Sequence, residues 1–352
     1  MLDQLEVPIV QAPLAGGPST PELTAAVGDA GGLGFVAAGY RTPDGLAEAV
    51  ARTRALTARP FGVNLFMGGG SPADPDVLRR YVAALRPEAE RAGVALGEPR
   101  FDDDGFEAKL ALLTADPVAI VSFTFGCPAP AVVERVHGAG AEVWVTITGP
   151  DEAVQAAAAG ADALVVQGTE AGGHRGAFAD TEGRVDYGLL ALLALVRARV
   201  NVPLVASGGI ATGHGVAAAL AAGAAAAQVG TAFMRCPEAG TSAPHRAALA
   251  TDRPTGLTRA FSGRLARGIV NRLQAQHTAH APTAYPEIHH VTAPLRAHGR
   301  KTGDADVINL WAGEAHALAE EIPAAEVVAR LAAEARDALA AAHGRMEPGP
   351  AR

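Results

Sequence analysis

A single histidine lies among glycines in the segment VVQGTEAGGHRG, Val165–Gly176. An imidazole exchanges a proton near neutral pH and can also donate a hydrogen bond to an anion. Glycines have no side chain, so a flat ligand could approach this loop closely. We therefore predict His174 to be the catalytic group, in preference to a loop histidine that only satisfies a carbonyl. Glu170 and Arg175 are expected to brace the loop.

Two more glycine-rich stretches follow later apolar runs, VASGGIATG at Val205–Gly213 and QVGTAF at Gln228–Phe233. Glycines let backbone N–H groups approach an anion, and a helix start after the first stretch would add its positive dipole end. Tight turns without a ligand are the alternative. Because both stretches end expected strands, the pattern favours a phosphate site that includes Gly208 and Gly209.

Two side-chain amides end other expected strands, Asn64 the third and Gln167 the sixth. An amide offers donors and an acceptor, which suits the edge of a flavin ring or a nucleobase. A single amide more often satisfies loop backbone, but two at one mouth favour ligand contact. Pro13 and Leu14 follow the first strand, where a bend could place backbone against a planar ring or form only a turn.

Short apolar runs recur along the chain without polar alternation, as is typical of parallel strands covered on both faces. They are Pro8–Gln11, Gly34–Ala37, Phe61–Leu65, Ala119–Phe123, Glu142–Thr146, Ala163–Gln167, Pro203–Ser207 and Ala226–Val229. Helical patterns alternate with them, so the sequence predicts an α/β fold, a (β/α)8 TIM barrel. A doubly wound open sheet is the rival, but QAPLAGGPS after the first strand lacks the GxGxxG spacing.

Two stretches fall outside the repeat. We predict a helical insertion at about 66–116 within a barrel of residues 1–234, and a cap of residues 235–310 over the mouth. Residues 311–352 are expected to form closing helices on the barrel, with a break or a new start at Pro323.

The composition narrows the class of protein further. The chain has 352 residues, a net charge of -8 and two cysteines without metal-ligand spacing. The negative net charge gives no overall positive potential that would attract nucleic acid. The sequence shows no evident secretory signal or bilayer-spanning segment. We expect a cytoplasmic protein that binds neither nucleic acid nor membrane. His277 and His280 have HxxH spacing but no evident third ligand, so we predict no metal site.

Six segments in order, QAPLAGG, GVNLF, SFTFGCP, ADALVVQGTEAGGHRG, VASGGIATG and QVGTAFM, carry a family resemblance. They resemble the nitronate monooxygenases, formerly called 2-nitropropane dioxygenases. INLWAGE, Ile308–Glu314, is similar to a motif of the bacterial class I branch. The resemblance runs from about residue 8 to 315.

The resemblance implies non-covalent FMN and oxidation of an alkyl nitronate by O2 to a carbonyl compound and nitrite, without NAD(P)H. Propionate 3-nitronate is the implied substrate type. His174 matches the active-site histidine; it would remove a proton from a nitroalkane or steady a nitronate anion. The residues implied to hold FMN are Pro13, Leu14, Asn64, Gln167, Gly172, Gly208, Gly209, Gln228, Val229, Gly230 and Thr231. Leu14 and Glu314 depart from the family, which often has Met and Gln there.

Three other interpretations stay open. An FMN-dependent NAD(P)H oxidoreductase, an enoyl-acyl-carrier-protein reductase or a quinone reductase, shares the barrel and the histidine loop, although NLWAG favours the monooxygenase. A layout similar to IMP dehydrogenase would need a cysteine in the loop that carries His174. A binding protein with a vestigial barrel would never turn a flavin over. The oligomeric state, monomer or homodimer, is also open.

Several residues have roles that the pattern does not decide. Tyr285, His289 and His290 lie in the cap; the two histidines could face the pocket, but we expect them to be exposed there. Cys127 is expected to be a packed small side chain, and Trp311 to anchor the C-terminal helix rather than cover a flavin.

Overall fold

A computed structural model describes residues 1–68, 71–181, 183 and 185–346. Eight parallel strands form one sheet, and they are β1 Ile9–Gln11, β2 Phe35–Ala37, β3 Gly62–Phe66, β4 Ile120–Thr124, β5 Glu142–Ile147, β6 Ala163–Gln167, β8 Leu204–Ser207 and β9 Ala226–Val229. Their order across the sheet is β1-β9-β8-β6-β5-β4-β3-β2. The sheet closes where Leu33 donates to Ile9 and Gln11 donates to Leu33. The predicted barrel is confirmed, and each strand begins and ends within one residue of its predicted position.

Helices follow the strands and cover the barrel. They are α1 Pro21–Asp29, α2 Pro43–Leu56, α5 Pro130–Gly138, α6 Pro150–Ala158, α7 Leu189–Arg197 and α8 Gly213–Ala221. Thr20 and Thr42 cap the first two helices through their side chains, each with proline in the first turn, which supplies two of the usual start signals. The last helix, α12 Ala324–Met346, begins after Pro323 as expected and packs on α8. The end of the predicted 311–352 segment, residues 347–352, lies outside the described residues.

The insertion between β3 and β4 contains α3 Pro75–Ala92 and α4 Phe106–Ala115. The fully buried Lys109 joins α4 to the barrel because its ammonium contacts Asp104 at 2.7 Å and the carbonyl of Ala38 at 3.0 Å. Asp104 in turn accepts a hydrogen bond from the backbone of Tyr40, a residue with a φ of 67°. The insertion therefore fixes the turn after β2, which borders the mouth of the barrel.

The stretch after β9 forms a small sheet and three helices. Strand β10, Thr255–Thr258, pairs with β11, Ala266–Ile269, and β11 pairs in turn with the two-residue β7, Gly173–His174. The helices are α9 Ala243–Leu249, α10 Arg272–His277 and α11 Glu287–Thr302. Through β7, the loop predicted to do chemistry becomes the edge strand of this second sheet.

The division into a barrel, a 235–310 cap and a closing segment stays a prediction. Trp311 makes a β-bridge with Gly268, so the chain remains in contact across the boundary at 310. In the described ranges, no helix is long and apolar enough to cross a bilayer.

Candidate functional site

A cavity of about 520 Å³ lies at the carboxyl ends of the barrel strands, between the barrel and α11. This size is typical of small-molecule sites. The predicted site residues that line it are Pro13, Leu14, Asn64, Gln167, Gly172, His174, Gly208, Gly209, Gln228, Gly230 and Thr231. The structure therefore brings eleven of the twelve together in one place.

Val229 is the predicted site residue that does not line the cavity. Its side chain is 1 % exposed and packs in the hydrophobic core between the strands and the helices. Side chains alternate along a strand, so Gln228 faces the cavity and Val229 faces the opposite side. The carbonyl of Val229 accepts a hydrogen bond from Ala12 at 2.9 Å. A ligand contact through this side chain is excluded by the geometry.

The two glycine turns border one side of the cavity. Gly208 and Gly209 have φ angles of 119° and 69°, which favour glycine at both positions. The helix start after them is already satisfied, since Thr212 caps α8 and Gly213 donates to the carboxylate of Glu334 at 2.8 Å. The expectation that the dipole of α8 serves an anion therefore lacks support, and any phosphate contact falls to the turn backbones.

The three amides of the predicted set differ in how they are used. The Nδ2 group of Asn64 donates to the hydroxyls of Ser122 at 2.9 Å and Thr124 at 3.0 Å. The carbonyl oxygen of Gln167 accepts from Arg175 and from the backbone of Gly176. Within the described residues, the Gln228 amide has no hydrogen-bond partner although it is only 7 % exposed.

Gln167 and Arg175 hold the histidine loop in place. Gln167 also donates from Nε2 to the carbonyl of His174 at 3.0 Å. The guanidinium of Arg175, 2 % exposed, donates to the carbonyls of Gln167 and Gly168. The expected bracing by Arg175 is present. The amide of Gln167 also forms most of its hydrogen bonds with this loop.

Gly172 is needed for packing as well as for open space. A Cβ at this position would overlap the backbone nitrogen of Gly313 and the backbone of Ala312. The NLWAG segment therefore lies directly against the histidine loop. Thr231 completes this contact by accepting a hydrogen bond from Gly313 at 3.0 Å.

His174 lies in an aromatic enclosure at the junction of the barrel and the second sheet. Its ring is 5.7 Å from Phe125, 5.8 Å from Tyr285 and 5.4 Å from Trp311, centroid to centroid. Burial lowers the pKa of His174 to about 3, and the positive charges of Arg264 and Arg296 lower it further. The imidazole is neutral at physiological pH.

Ser262 is a neighbour of His174 that sequence reasoning missed. Its hydroxyl lies 2.8 Å from Nε2 of His174 and 3.2 Å from the carbonyl oxygen of Arg264. Its one hydrogen can serve only one of these acceptors. If the carbonyl receives it, Nε2 carries the imidazole hydrogen; if Nε2 receives it, Nδ1 carries that hydrogen. Nδ1 itself makes no hydrogen bond to another described residue.

His289 and Trp311 differ from expectation. His289 stacks on Tyr40 with ring centroids 4.1 Å apart and lines the cavity, so its predicted exposure was wrong. Its Nδ1 accepts from Arg296, and burial lowers its pKa to about 2. Trp311 packs against Phe261 and His174 rather than anchoring α12.

A second cavity of about 920 Å³ lies beyond a wall of aromatic rings. Tyr40, Phe66 and Phe125 border both cavities. Cys127 lines the second one, half-buried as expected of a packed side chain, and burial raises its thiol pKa. His290 also lies there and pairs with Asp102 at 2.8 Å, so it is not a freely exposed histidine.

Comparisons with known proteins identify relatives of this chain. The family model described as nitronate monooxygenase matches residues 1–334. A nitronate monooxygenase of Paraburkholderia phytofirmans is 40 % identical over 344 residues, covering 95 % of this chain and 94 % of its own.

Two solved structures are similar throughout. A nitroalkane oxidase from Streptomyces ansochromogenes has a TM-score of 0.94 and 50 % identity, over 97 % of this chain and 99 % of its own. FabK from Thermotoga maritima has a TM-score of 0.78 and 25 % identity, over 98 % and 97 %. The family match, the relatives and the shared barrel lead to one conclusion: the chain belongs to the nitronate monooxygenase family.

Proposed function

We propose that the protein is an FMN-dependent enzyme that oxidises alkyl nitronates with O2 to carbonyl compounds and nitrite, without NAD(P)H. One observation carries the proposal: a neutral histidine faces a cavity whose barrel side offers glycine turns and uncharged amides and whose cap side offers arginines. The barrel side suits a flavin and its phosphate, and the cap side suits an anion.

The residues of the barrel rim fit the cofactor. The turn backbones at Gly208–Gly209 and Gly230–Thr231 would hold the phosphate, and Pro13 and Leu14 would lie against the ring. Asn64 and Gln228 would meet the polar edge of the ring, and Gln228 has an amide without a partner in the described structure. The hydroxyl of Thr241 is a second orphan, buried in the cavity lining without a hydrogen bond to any described residue.

Gln167 and Gly172 have narrower roles in this proposal. The carbonyl oxygen of Gln167 is already occupied, so only its Nε2 group could reach a ligand. Gly172 would admit the ring by bringing the loop close to Gly313. When bound, FMN would supply the redox chemistry that links the nitronate to O2.

His174 acts on the substrate, and the ring nitrogen that carries its hydrogen decides whether it acts as a base or as a hydrogen-bond donor. With the hydrogen on Nε2, the bare Nδ1 could remove the α-proton of a nitroalkane, but a pKa near 3 makes it a weak base. With Ser262 donating to Nε2, Nδ1–H becomes a hydrogen-bond donor. A nitronate anion favours the second arrangement. We infer that His174 positions a nitronate and that nitronates are oxidised faster than nitroalkanes.

The second candidate is an FMN-dependent NAD(P)H oxidoreductase, which the similarity to FabK favours. Its lower TM-score and identity relative to the nitroalkane oxidase place it second. A dependence on NADH would reverse that order.

The test is oxygen uptake and nitrite release by FMN-loaded protein given propionate 3-nitronate, then given 3-nitropropionate, whose nitro carbon keeps its proton, without nicotinamide. We expect rapid uptake with the nitronate and slower uptake with the nitro form. No uptake with either compound, together with turnover on NADH and a quinone or an enoyl thioester, would contradict the proposal.

A further inference from the structure

A continuous row of aromatic rings, here called the aromatic wall, separates the main cavity from the second cavity. Its members line both cavities and are Tyr40, Phe66, Phe125 and His289. The ring of Tyr40 stacks on His289 with centroids 4.1 Å apart and meets the edge of Phe66 at 5.4 Å. Phe66 and Phe125 follow with centroids 4.5 Å apart. The wall therefore runs without a break from α11 to the turn after β4.

Phe125 is the wall residue that contacts the reacting group. Its ring is 6 % exposed and meets the ring of His174 edge-on, with centroids 5.7 Å apart. The guanidinium of Arg264, which lines the second cavity, lies 4.0 Å above the centroid of the same ring. One aromatic ring thus stands between His174 and the second cavity.

Two wall residues have backbone conformations that bulky side chains rarely adopt. The φ angles are 67° at Tyr40 and 78° at Phe125, in the turns after β2 and β4. Asp104 holds the first turn by accepting a hydrogen bond from the backbone of Tyr40 at 2.9 Å. The cation–π contact with Arg264 holds the ring of the second. Such strain persists where the surroundings enforce it and is concentrated at ligand sites. Here both strained turns direct a large ring into the wall.

The second cavity suits an uncharged group. Three of its acidic side chains already have basic partners: Asp102 with His290, Asp104 with Lys109, and Asp180 with Arg259. Arg264 donates to backbone carbonyls behind the wall. The apolar side chains of Met67, Phe178 and Ala284 line the space between these groups. A cavity with paired charges and apolar patches favours an aliphatic ligand over an ion.

We propose that Phe125 limits the length of the substrate, by closing a second cavity that would otherwise take the alkyl tail of a long-chain nitronate. The main cavity of about 520 Å³ has to hold both the flavin ring and the substrate, so little depth is left for a tail. A tail that passed the position of Phe125 would reach apolar surface directly behind His174. This inference rests on the proposed function and names a specificity-determining residue for it.

Substrates that differ only in tail length test the wall. The test compares kcat/KM for the nitronates of 1-nitrohexane and nitroethane in the FMN-loaded wild type and in Phe125→Gly. Glycine adopts a φ of 78° without strain, which offsets part of the packing lost with the ring. Phe125→Leu keeps an apolar side chain in the wall and makes a smaller opening. Phe106→Ala is the matched control, because it removes a partly buried ring that lines neither cavity.

The expected result is a change in the ratio of the two kcat/KM values, hexyl over ethyl. Burial of one methylene group favours binding by about fourfold, and the two tails differ by four such groups. The ratio should rise by about tenfold to a hundredfold in Phe125→Gly and by about threefold in Phe125→Leu, and should stay within about twofold in Phe106→Ala. An unchanged ratio in Phe125→Gly would overturn the inference. If that variant does not fold, an unchanged ratio in Phe125→Leu would overturn it.

A second substitution tests whether the tail enters the second cavity. Ala179 lines this cavity at an exposed position, so a larger side chain can be placed there without disturbing the core. The double variant Phe125→Gly, Ala179→Trp should lose most of the gain, because the indole occupies the space that the tail would use. A gain that persists in full would place the tail elsewhere and overturn the assignment of the second cavity.

A binding measurement separates this inference from the proposed function. Calorimetry in the absence of O2 compares 1-nitrohexane with nitroethane on wild type and Phe125→Gly, so that no turnover takes place. A preference for nitrohexane that appears only in the variant supports the role of Phe125 even if no nitronate is oxidised. The same preference in both proteins contradicts it even if the oxidation is rapid.

Discussion

The barrel rim and the cap helix α11 face each other across one cavity with opposite chemistry. The rim presents backbone turns, the amides of Asn64 and Gln228, and no charged side chain among its described residues. Helix α11 presents Arg296, Arg300 and a neutral His289. His174 belongs to both, since its loop leaves the barrel and pairs with β11 of the cap.

The difference shows how the two halves divide the work. A rim of uncharged hydrogen-bond donors and acceptors suits a large cofactor ring that does not change from one substrate to another. A cap with unneutralised cations suits a small anion whose identity can change without altering the rim. Changes on the rim should therefore act on the cofactor, and changes on the cap should act on the substrate.

The junction should give the largest effect. His174→Ala should retain FMN, because the rim contacts remain, and should lose about a hundredfold or more in kcat with nitronate, because no imidazole positions the anion. Bound flavin and steady-state oxygen uptake measure the two properties. Unchanged turnover would remove His174 from the mechanism, and loss of flavin would assign it to the rim.

The rim should give the next largest effect. Gly209→Asp should weaken FMN binding by roughly a hundredfold, because a carboxylate at a positive-φ turn adds strain and repels the phosphate. Fluorescence titration with FMN measures the dissociation constant. Gly209→Asn has a similar shape without the charge and should lose less affinity. Equal FMN affinity in Gly209→Asp and wild type would place the phosphate elsewhere.

A buried cap histidine should make stability depend on pH. Burial lowers the pKa of His245 to about 4, so the folded protein resists a proton that the unfolded chain takes up below about pH 6.5. Stability is therefore lost as the pH falls, by about 2 kcal/mol from pH 7.5 to 5 for this group.

Urea unfolding at the two pH values tests this expectation. His245→Gln keeps a donor for the carbonyl of Trp311 and should reduce the drop by about that amount. His214→Gln changes an exposed histidine of α8 and should leave the drop as in wild type. The same drop in His245→Gln as in wild type would show that His245 does not contribute.

The smallest effect should come from the cap residue that orients His174. Ser262→Ala should lower kcat/KM for a nitronate by about tenfold, because the imidazole loses the partner that fixes its hydrogen. Ser262→Thr should restore much of the activity. Nitrogen NMR of labelled histidine reports the tautomer directly. The same tautomer and rate in Ser262→Ala would show that the serine is only a neighbour.

The rim could be predicted from sequence because its residues end strands. Eight apolar runs fix a barrel, and a barrel brings every strand end to one mouth, so Asn64, Gln167 and Gln228 converge without knowledge of any contact. Val229 shows the limit of motif matching, since alternation along the strand turns its side chain into the core. Gln167 shows another limit, because its amide forms hydrogen bonds with the loop that follows it in the chain instead of being free for a ligand.

The cap could not be predicted in the same way. Arg296 and Arg300 lie on a helix whose spacing gives one buried face, but the part of that face over the cavity depends on how α11 packs against α3. His289 was expected to be exposed for this reason, and Ser262 reaches His174 only through the pairing of β11 with β7. Such contacts follow from tertiary docking rather than from periodicity.

The central claim is tested most directly by rapid anaerobic mixing of FMN-loaded protein with propionate 3-nitronate or with NADH, while the flavin absorbance is followed. The account predicts a fast loss of oxidised flavin with the nitronate and no comparable change with NADH. Fast bleaching by NADH, with the flavin left oxidised by the nitronate, would contradict it and assign the barrel to a nicotinamide-dependent reductase.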